Sequence, residues 1–289
     1  MNMKYQYRFL RFPGGKAKAV TFSYDDGIRQ DIRFSDLLQT YGIKCTFNLN
    51  SRKMRGERGL TPAEVNEHIL NRGHEVALHG SNHRAQGTLR PIEGIQDVLM
   101  NRLELEETYG RIIRGMAYPD CGIRFFTNNA DYESIRNYLK ELDVAYVRTL
   151  GGDNDSFALP QDWYAWMPTA HHNNPQIFEY IDKFLGIDVN SPQAYGAKRP
   201  ASLFYLWGHS YEFDNNNGWE HIGKICERLS QKEDIWYATN MEIYDYVTAY
   251  HSLIYSADGT RVYNPTLHEI WFDTDRKLSS VKPGKTLVL

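Results

Sequence analysis

Eight residues, Val20-Thr21-Phe22-Ser23-Tyr24-Asp25-Asp26-Gly27, join an apolar, β-branched and aromatic run to two adjacent carboxylates and a glycine. The run suits a buried strand, and Asp-Asp-Gly does not. The strand should therefore stop near Asp25, with both carboxylates at its C-terminal end. Two carboxylates this close repel unless something positive neutralises one of them. A divalent metal does that and leaves the other free as a base. The competing reading is a plain polar turn, since Asp-Gly pairs are frequent in turns.

A second cluster decides between them. His79-Gly80-Ser81-Asn82-His83 starts where another short apolar run, 74–79, ends. Histidines at i and i+4 share a side if the segment turns helically, and imidazole nitrogen is a common ligand for zinc-like ions. A lone pair at this spacing is often only surface. Asp26, His79 and His83 together supply one oxygen and two nitrogens, which leaves positions open for water and substrate, as in a catalytic site. His74 reads as the start of the strand. A third apolar run, Leu203-Phe204-Tyr205-Leu206-Trp207-Gly208-His209, also ends in histidine. His209 is either a capped core residue or a general acid, and its company on one predicted face favours the acid.

The elements that must bring these groups together follow from periodicity. Helices are expected at 31–41 (stopped by Gly42), 61–72 (opened by the capping box Thr61-Pro62-Ala63-Glu64), 91–109, 131–142, 176–185, 218–231 and 240–251. Strands are expected at 44–50, 74–79, 112–118, 144–150, 163–170, 202–209 and 235–238, with loop at 151–161. Strand and helix alternate about seven times, which argues a parallel sheet with crossover helices, closed or nearly closed into an α/β barrel. Functional groups of such a barrel gather at the C-terminal ends of its strands. No repeat is visible. The division is a barrel over residues 1–252 and a small β appendage over 253–289, with strand-like runs at 253–255, 261–263, 269–272 and 286–289 whose expected role is to cover the barrel or an edge.

The chain's 289 residues, with Lys+Arg 33 against Asp+Glu 36 and net charge −3, give no basic field for nucleic acid. Tyr 20 and Trp 6 serve either as core aromatics or as sugar platforms. Residues 1–12 carry Lys4, Arg8 and Arg11 and lack a signal-peptide core, and no segment approaches the ~20 apolar residues of a membrane span. As it stands the sequence reads as cytoplasmic, although a trimmed signal would look the same. Three widely spaced cysteines, Cys45, Cys121 and Cys226, fit reduced thiols better than a disulfide framework.

Together these residues resemble the polysaccharide deacetylase family (carbohydrate esterase family 4, the NodB-homology domain), over residues 18–231. The resemblance implies a distorted seven-stranded (β/α) barrel. It implies Asp25 as general base and Asp26, His79 and His83 as ligands of one divalent metal, Zn2+ first and Co2+, Ni2+ or Mn2+ as alternatives. Gly80 takes the Ser/Thr place of the second motif. The third motif is represented by Met116-Ala117-Tyr118-Pro119-Asp120-Cys121-Gly122, without its arginine and with one residue inserted. It offers Tyr118 and the N–H of Asp120 as substrate and oxyanion contacts. Arg148 either replaces the missing guanidinium or makes a structural salt bridge. The fourth motif survives only as Asp162-Trp163, where Asp162 either orients a catalytic histidine or simply precedes a strand. His171 or His172 contacts substrate, or neither does. The fifth motif fits Leu206-Trp207-Gly208-His209, with His209 as general acid and Trp207 as a sugar-facing wall.

The implied reaction is removal of an N-acetyl or O-acetyl group from an amino sugar or polysaccharide. A metal-bound water attacks, Asp25 takes its proton and His209 protonates the leaving group. Two alternatives stand beside it: hydrolysis of a small amide or cyclic imide, as in allantoinase-like relatives, and carbohydrate binding without catalysis. The sequence leaves the sugar, the acyl group and the oligomeric state open.

Overall fold

The computed structural model describes residues 5–52, 56–150 and 153–289. Lys4, and Gly151 and Gly152 of the expected loop, lie outside the described residues. The chain opens with β1 (Arg8–Arg11) and then builds the barrel. Its strands are β2 (Lys18–Asp25), β3 (Cys45–Leu49), β4 (Glu75–Leu78), β5 (Gly115–Ala117), β6 (Tyr146–Arg148), β7 (Ala170–His171), β8 (Ser202–Gly208) and β9 (Ile235–Tyr237). Between and after them run α1 (Gln30–Tyr41), α2 (Pro62–His68), α3 (Pro91–Tyr109), α4 (Tyr132–Glu141), α5 (Ile177–Leu185), α6 (Gly218–Leu229) and α7 (Asn240–His251).

Pairing gives the order β6-β5-β4-β3-β2-β8-β7, with β9 beside the start of β2, and every barrel pair is parallel. All eight residues of β2 are buried, as a central strand covered on both faces requires. An isolated bridge between Arg148 and Trp166 joins the free edge of β6 to the segment leading into β7. The sheet thereby curls round into the expected distorted seven-stranded barrel. Register sets the functional ends level: Asp25 lies opposite Asn48, and Leu49 opposite Leu78, the residue before His79.

The helix ends follow their caps. Thr61 and Glu64 make the reciprocal capping box, and α1 stops on Gly42 in the left-handed conformation. The strand expected at 163–170 is not formed. A short 3-10 turn (Trp163–Ala165) and the two-residue β7 replace it. The Asp162 side chain accepts the Tyr164 N–H and starts the turn, and Pro168 has no N–H to give a ladder.

After α7 come β10 (Ile254–Tyr255), β11 (Arg261–Tyr263), β12 (Ile270–Thr274), β13 (Lys277–Val281) and β14 (Thr286–Val288). They form two antiparallel sheets, β10-β11-β14 and β1-β12-β13. The N-terminal strand β1 thus pairs with a strand more than 250 residues away, Arg8 opposite Thr274. A second apolar cluster fastens these sheets to α7 and to the starts of β2 and β8, through Leu10, Phe12, Ala19, Leu203, Tyr246 and Phe272. No helix of the described residues is long and apolar enough to cross a membrane.

Candidate metal and catalytic site

β2 ends at Asp25, and the chain turns at once. Asp26 has φ 85, Gly27 has φ 65, and the Asp26 N–H is held by Asn48 O at 3.0 Å. The turn breaks the alternation of a strand, so both carboxylates serve one mouth. β4 ends one residue before His79, whose N–H meets Asn101 Oδ1 at 3.0 Å. The His79 ring donates from Nδ1 to Ala117 O at 2.9 Å, which leaves the lone pair on Nε2. That Nε2 is buried without a hydrogen-bond partner and lies 3.9 Å from Asp26 Oδ1. His83 Nε2 is 3.3 Å from the same oxygen. The ligand atoms of Asp26, His79 and His83 all lie within 4.8 Å of one another. Burial pulls the His79 pKa below its ordinary value, against the pull of Asp25 and Asp26, so the ring is neutral. A neutral imidazole aimed at a carboxylate with its lone pair unused fits a divalent cation.

Asp25 sits beside this triad, 1% exposed. Its Oδ2 accepts from Arg148 Nη2 at 2.5 Å and its Oδ1 from Asn48 Nδ2 at 2.8 Å. Burial alone would raise its pKa. The Arg148 guanidinium, through its charge and its hydrogen bond, outweighs that with help from His209 and holds it below the ordinary carboxylate value. Arg148, at the end of β6, is completely buried and lies over the Trp207 ring at 4.5 Å. Across the mouth, His209 Nε2 is 3.8 Å from Asp25 Oδ2, and its Nδ1 is 3.0 Å from Glu212 Oε1. Burial opposes a charge on His209, but Glu212, Asp25 and Asp26 raise its pKa. Glu212 also meets His172 at 3.0 Å and His171 at 3.4 Å. Despite burial, these imidazoles hold it well below the carboxylate range.

One buried group ties the two sides together. Asp31 on α1 accepts the Ile28 N–H at 3.0 Å and the Ser210 hydroxyl at 2.6 Å. It thereby links the loop after Asp26 to the loop after His209, and burial pushes its pKa up to about 7. A cavity of about 810 Å³ opens at Asp26, with Arg29, Arg58 and Tyr211 in its wall. The half-exposed Tyr211 ring is 5.1 Å from the His209 ring.

The structure brings Asp25, Asp26, His79, His83, Arg148, Trp207 and His209 to one mouth, and it displaces others. Asp162 does not orient a histidine. It caps the 3-10 turn, accepts the Tyr132 hydroxyl at 2.6 Å and faces Arg136 at 3.5 Å. The carboxylate on His209 is Glu212, three residues downstream in a 3-10 turn (Ser210–Asp214) that the chain pattern does not announce. Tyr118 is buried with its hydroxyl on Tyr164 O at 3.0 Å, which takes that hydroxyl away from substrate. His172 is 1% exposed between Tyr24 and Glu212, and burial lowers its pKa to about 4, so the ring does not reach substrate. Asp120 is exposed at φ 53, and its N–H makes no backbone hydrogen bond among the described residues. His171, His209 and Glu212 also come within ligand range of one another. His209 bonds Glu212, and Asn173 donates to both His171 and Glu212, so they form a hydrogen-bonded cluster. Asn48 was not foreseen: it is one polar residue of an alternating strand.

A family model for polysaccharide deacetylase matches residues 4–147. A Mycobacterium smegmatis protein described as a polysaccharide deacetylase superposes with TM-score 0.56 and 15% identity, over 87% of this chain and 95% of its own. At that identity the likeness shows the fold. Two further structures superpose less well. One is the Xyl-CE4 domain of a multidomain xylanase from the hindgut metagenome of Trinervitermes trinervoides, with TM-score 0.49, 15% identity and coverage of 81% and 92%. The other is a family 4 acetyl xylan esterase from Clostridium thermocellum holding cobalt, with TM-score 0.45, 15% identity and coverage of 78% and 90%. No curated protein matches the sequence.

Proposed function

This chain belongs, through residues 4–147, to the polysaccharide deacetylase family, and from that membership we propose a metal-dependent hydrolase that removes an acetyl group from an amino sugar or a longer carbohydrate. One observation carries the mechanism: the unpartnered Nε2 of His79 faces Asp26 beside a carboxylate–imidazole pair, Asp25 and His209, 3.8 Å apart. Asp26, His79 and His83 would hold the cation, Zn2+ being the best match to one oxygen and two nitrogens. When bound, it supplies Lewis acidity to the carbonyl and acidifies a water.

The chain's own groups do the rest. Asp25, kept ionised by Arg148, takes the proton of the attacking water. The N–H of Asp120 donates to the oxyanion that forms on the former carbonyl oxygen. His209, kept charged by Glu212, gives its proton to the departing nitrogen or oxygen, and the bond to the acyl carbon breaks. Trp207 keeps Arg148 in place from one face and walls the mouth. The groups of this reaction all come from residues 1–252. We read 253–289, together with β1, as the support packed behind α7.

The test is acetate release from N-acetylglucosamine oligomers and from O-acetylated xylan, run beside ring opening of cyclic imides, in protein loaded with Zn2+. Acetate release with no ring opening is the expected result. Ring opening alone would move the substrate to a small amide. Sugar binding without turnover in the loaded protein would reduce the chain to a carbohydrate-binding scaffold.

A further inference from the structure

The two imidazoles of the triad stand at the ends of the loop His79-Gly80-Ser81-Asn82-His83, so their spacing depends on what holds the loop. Its first half is fastened by Asn101 of α3 and by Asn50, the residue after β3. Asn101 Oδ1 takes the His79 N–H, and Asn50 Nδ2 bonds His79 O and also Gly80 O, the latter at 3.0 Å. Among the described residues, the second half, which delivers His83, is held chiefly by Asp97 of α3. Asp97 Oδ1 accepts the Asn82 N–H at 2.8 Å and Asn82 Nδ2 at 2.7 Å, while the Asp97 carbonyl accepts the Ser81 N–H at 3.2 Å. Two further contacts are weaker in kind: the Ser51 and Ser81 hydroxyls at 3.3 Å, and the exposed Arg52 guanidinium on Asn82 Oδ1 at 3.1 Å.

Asp97 is 4% exposed, and its second oxygen, Oδ2, is buried without a hydrogen-bond partner. A carboxylate in that setting destabilises the fold, because an unsatisfied buried oxygen costs free energy, and such a group calls for an explanation. The same oxygen explains why residue 80 is glycine. Gly80 has φ 70, and a Cβ built on it would collide with Asp97 Oδ2. The loop and the carboxylate therefore fit only each other. A hydrogen bond to an ionised oxygen is roughly twice as strong as one between neutral groups, so Asp97 grips Asn82 firmly.

We propose that Asp97 is a positioning residue for the metal: by holding Asn82 and Ser81 it fixes His83 at the distance from His79 that a shared cation needs. This rests on the metal reading of Asp26, His79 and His83.

The experiment measures Zn2+ affinity alone, by competition with a chromophoric chelator on metal-stripped full-length protein, for the parent, Asp97→Ala, Asp97→Asn and Asn82→Ala. Groups that orient metal ligands typically change affinity about 10–100-fold when removed. We expect a loss in that range for Asp97→Ala. Asp97→Asn keeps one acceptor oxygen and should recover part of it. Asn82→Ala lies on an exposed residue, keeps its N–H and should lose the least. The Co2+-loaded variants should also show visible absorption bands shifted from those of the parent, which a merely structural loss would not give. If Asp97→Ala does not fold, the other two variants carry the same test. Parent-like Zn2+ affinity in Asp97→Ala or, where that variant does not fold, in both Asp97→Asn and Asn82→Ala would overturn the assignment. Failure of the parent itself to bind Zn2+ would overturn the metal reading first.

Discussion

Replacing Arg148 by methionine should both weaken the fold and stop the reaction while leaving the metal in place. Arg148 is fully buried and Asp25 is 1% exposed, with 2.5 Å between their charged atoms. Removing one member of such a pair strands the other charge in a medium that solvates it poorly, at about 3–5 kcal/mol. Methionine keeps much of the stem's packing, so the loss is chiefly electrostatic, plus the contact with Trp207 at 4.5 Å. At about 2–4 °C per kcal/mol for a chain of this size, the melting midpoint should fall by roughly 6–20 °C. Thermal unfolding of metal-stripped protein at neutral pH measures the midpoint, and urea unfolding the free energy.

The pH dependence of that loss has a definite sign. The Asp25 pKa lies below its ordinary 3.8, so the carboxylate adds stability above that value and loses it as pH falls through the folded pKa. The gap between parent and Arg148→Met should therefore close as the solution is acidified past 3.8. Asp25→Asn combined with Arg148→Met should cost clearly less than the sum of the two changes. A variant within about 0.5 kcal/mol of the parent would refute the claim that the ion pair is what keeps a charged Asp25 in the barrel.

Further expectations follow from the same geometry. Asp25→Ala and His209→Ala should each lower acetate release by about 10²–10⁴-fold and keep stoichiometric Zn2+ by elemental analysis; metal loss in either would place that residue among the ligands. Glu212→Gln removes the group that raises His209, so the alkaline limb of the pH–rate profile should move to lower pH, and an unmoved limb would dismiss Glu212. Asp31 has its folded pKa raised to about 7 from 3.8, so the native state holds that proton longer than the unfolded chain does. The stabilising contribution is complete below 3.8 and lost as pH rises through about 7, a fall of roughly 4 kcal/mol at 1.36 kcal/mol per unit. Asp31→Asn should flatten that slope in unfolding measurements between those pH values.

What could be read from the chain, and what could not, divides along physical lines. Helices α3 and α7 begin and end where their caps and apolar spacing place them, since both signals are local. That Asp25, Asp26, His79, His83 and His209 share one mouth was legible because they sit at or just past the ends of apolar strands, and parallel pairing carries strand ends to one face. Asp162 misled because Asp-Trp looks like a motif, while its short-range bond to Tyr164 N decides its place. Glu212 was within reach of reasoning, as a carboxylate three residues after a histidine, but only a 3-10 turn brings it to Nδ1. The run at 163–170 is apolar and aromatic like a strand, yet Pro168 and the Asp162 cap prevent a ladder. β1 pairs with β12 across nearly the whole chain, and no local pattern encodes so distant a partner. β13 buries only Val281 and lacks an apolar face to betray it.

The left-handed backbone at Asp26, His83 and Asp120 carries its own lesson. Side chains other than glycine sit there against their preference, at a cost of order 1–3 kcal/mol each. A mutant in which glycine stands at position 26 should melt higher than its parent and bind no zinc. A thermostability screen run on this barrel without an activity check would thus drift toward well-behaved, inert descendants, because what folding resists at the mouth is what hydrolysis needs.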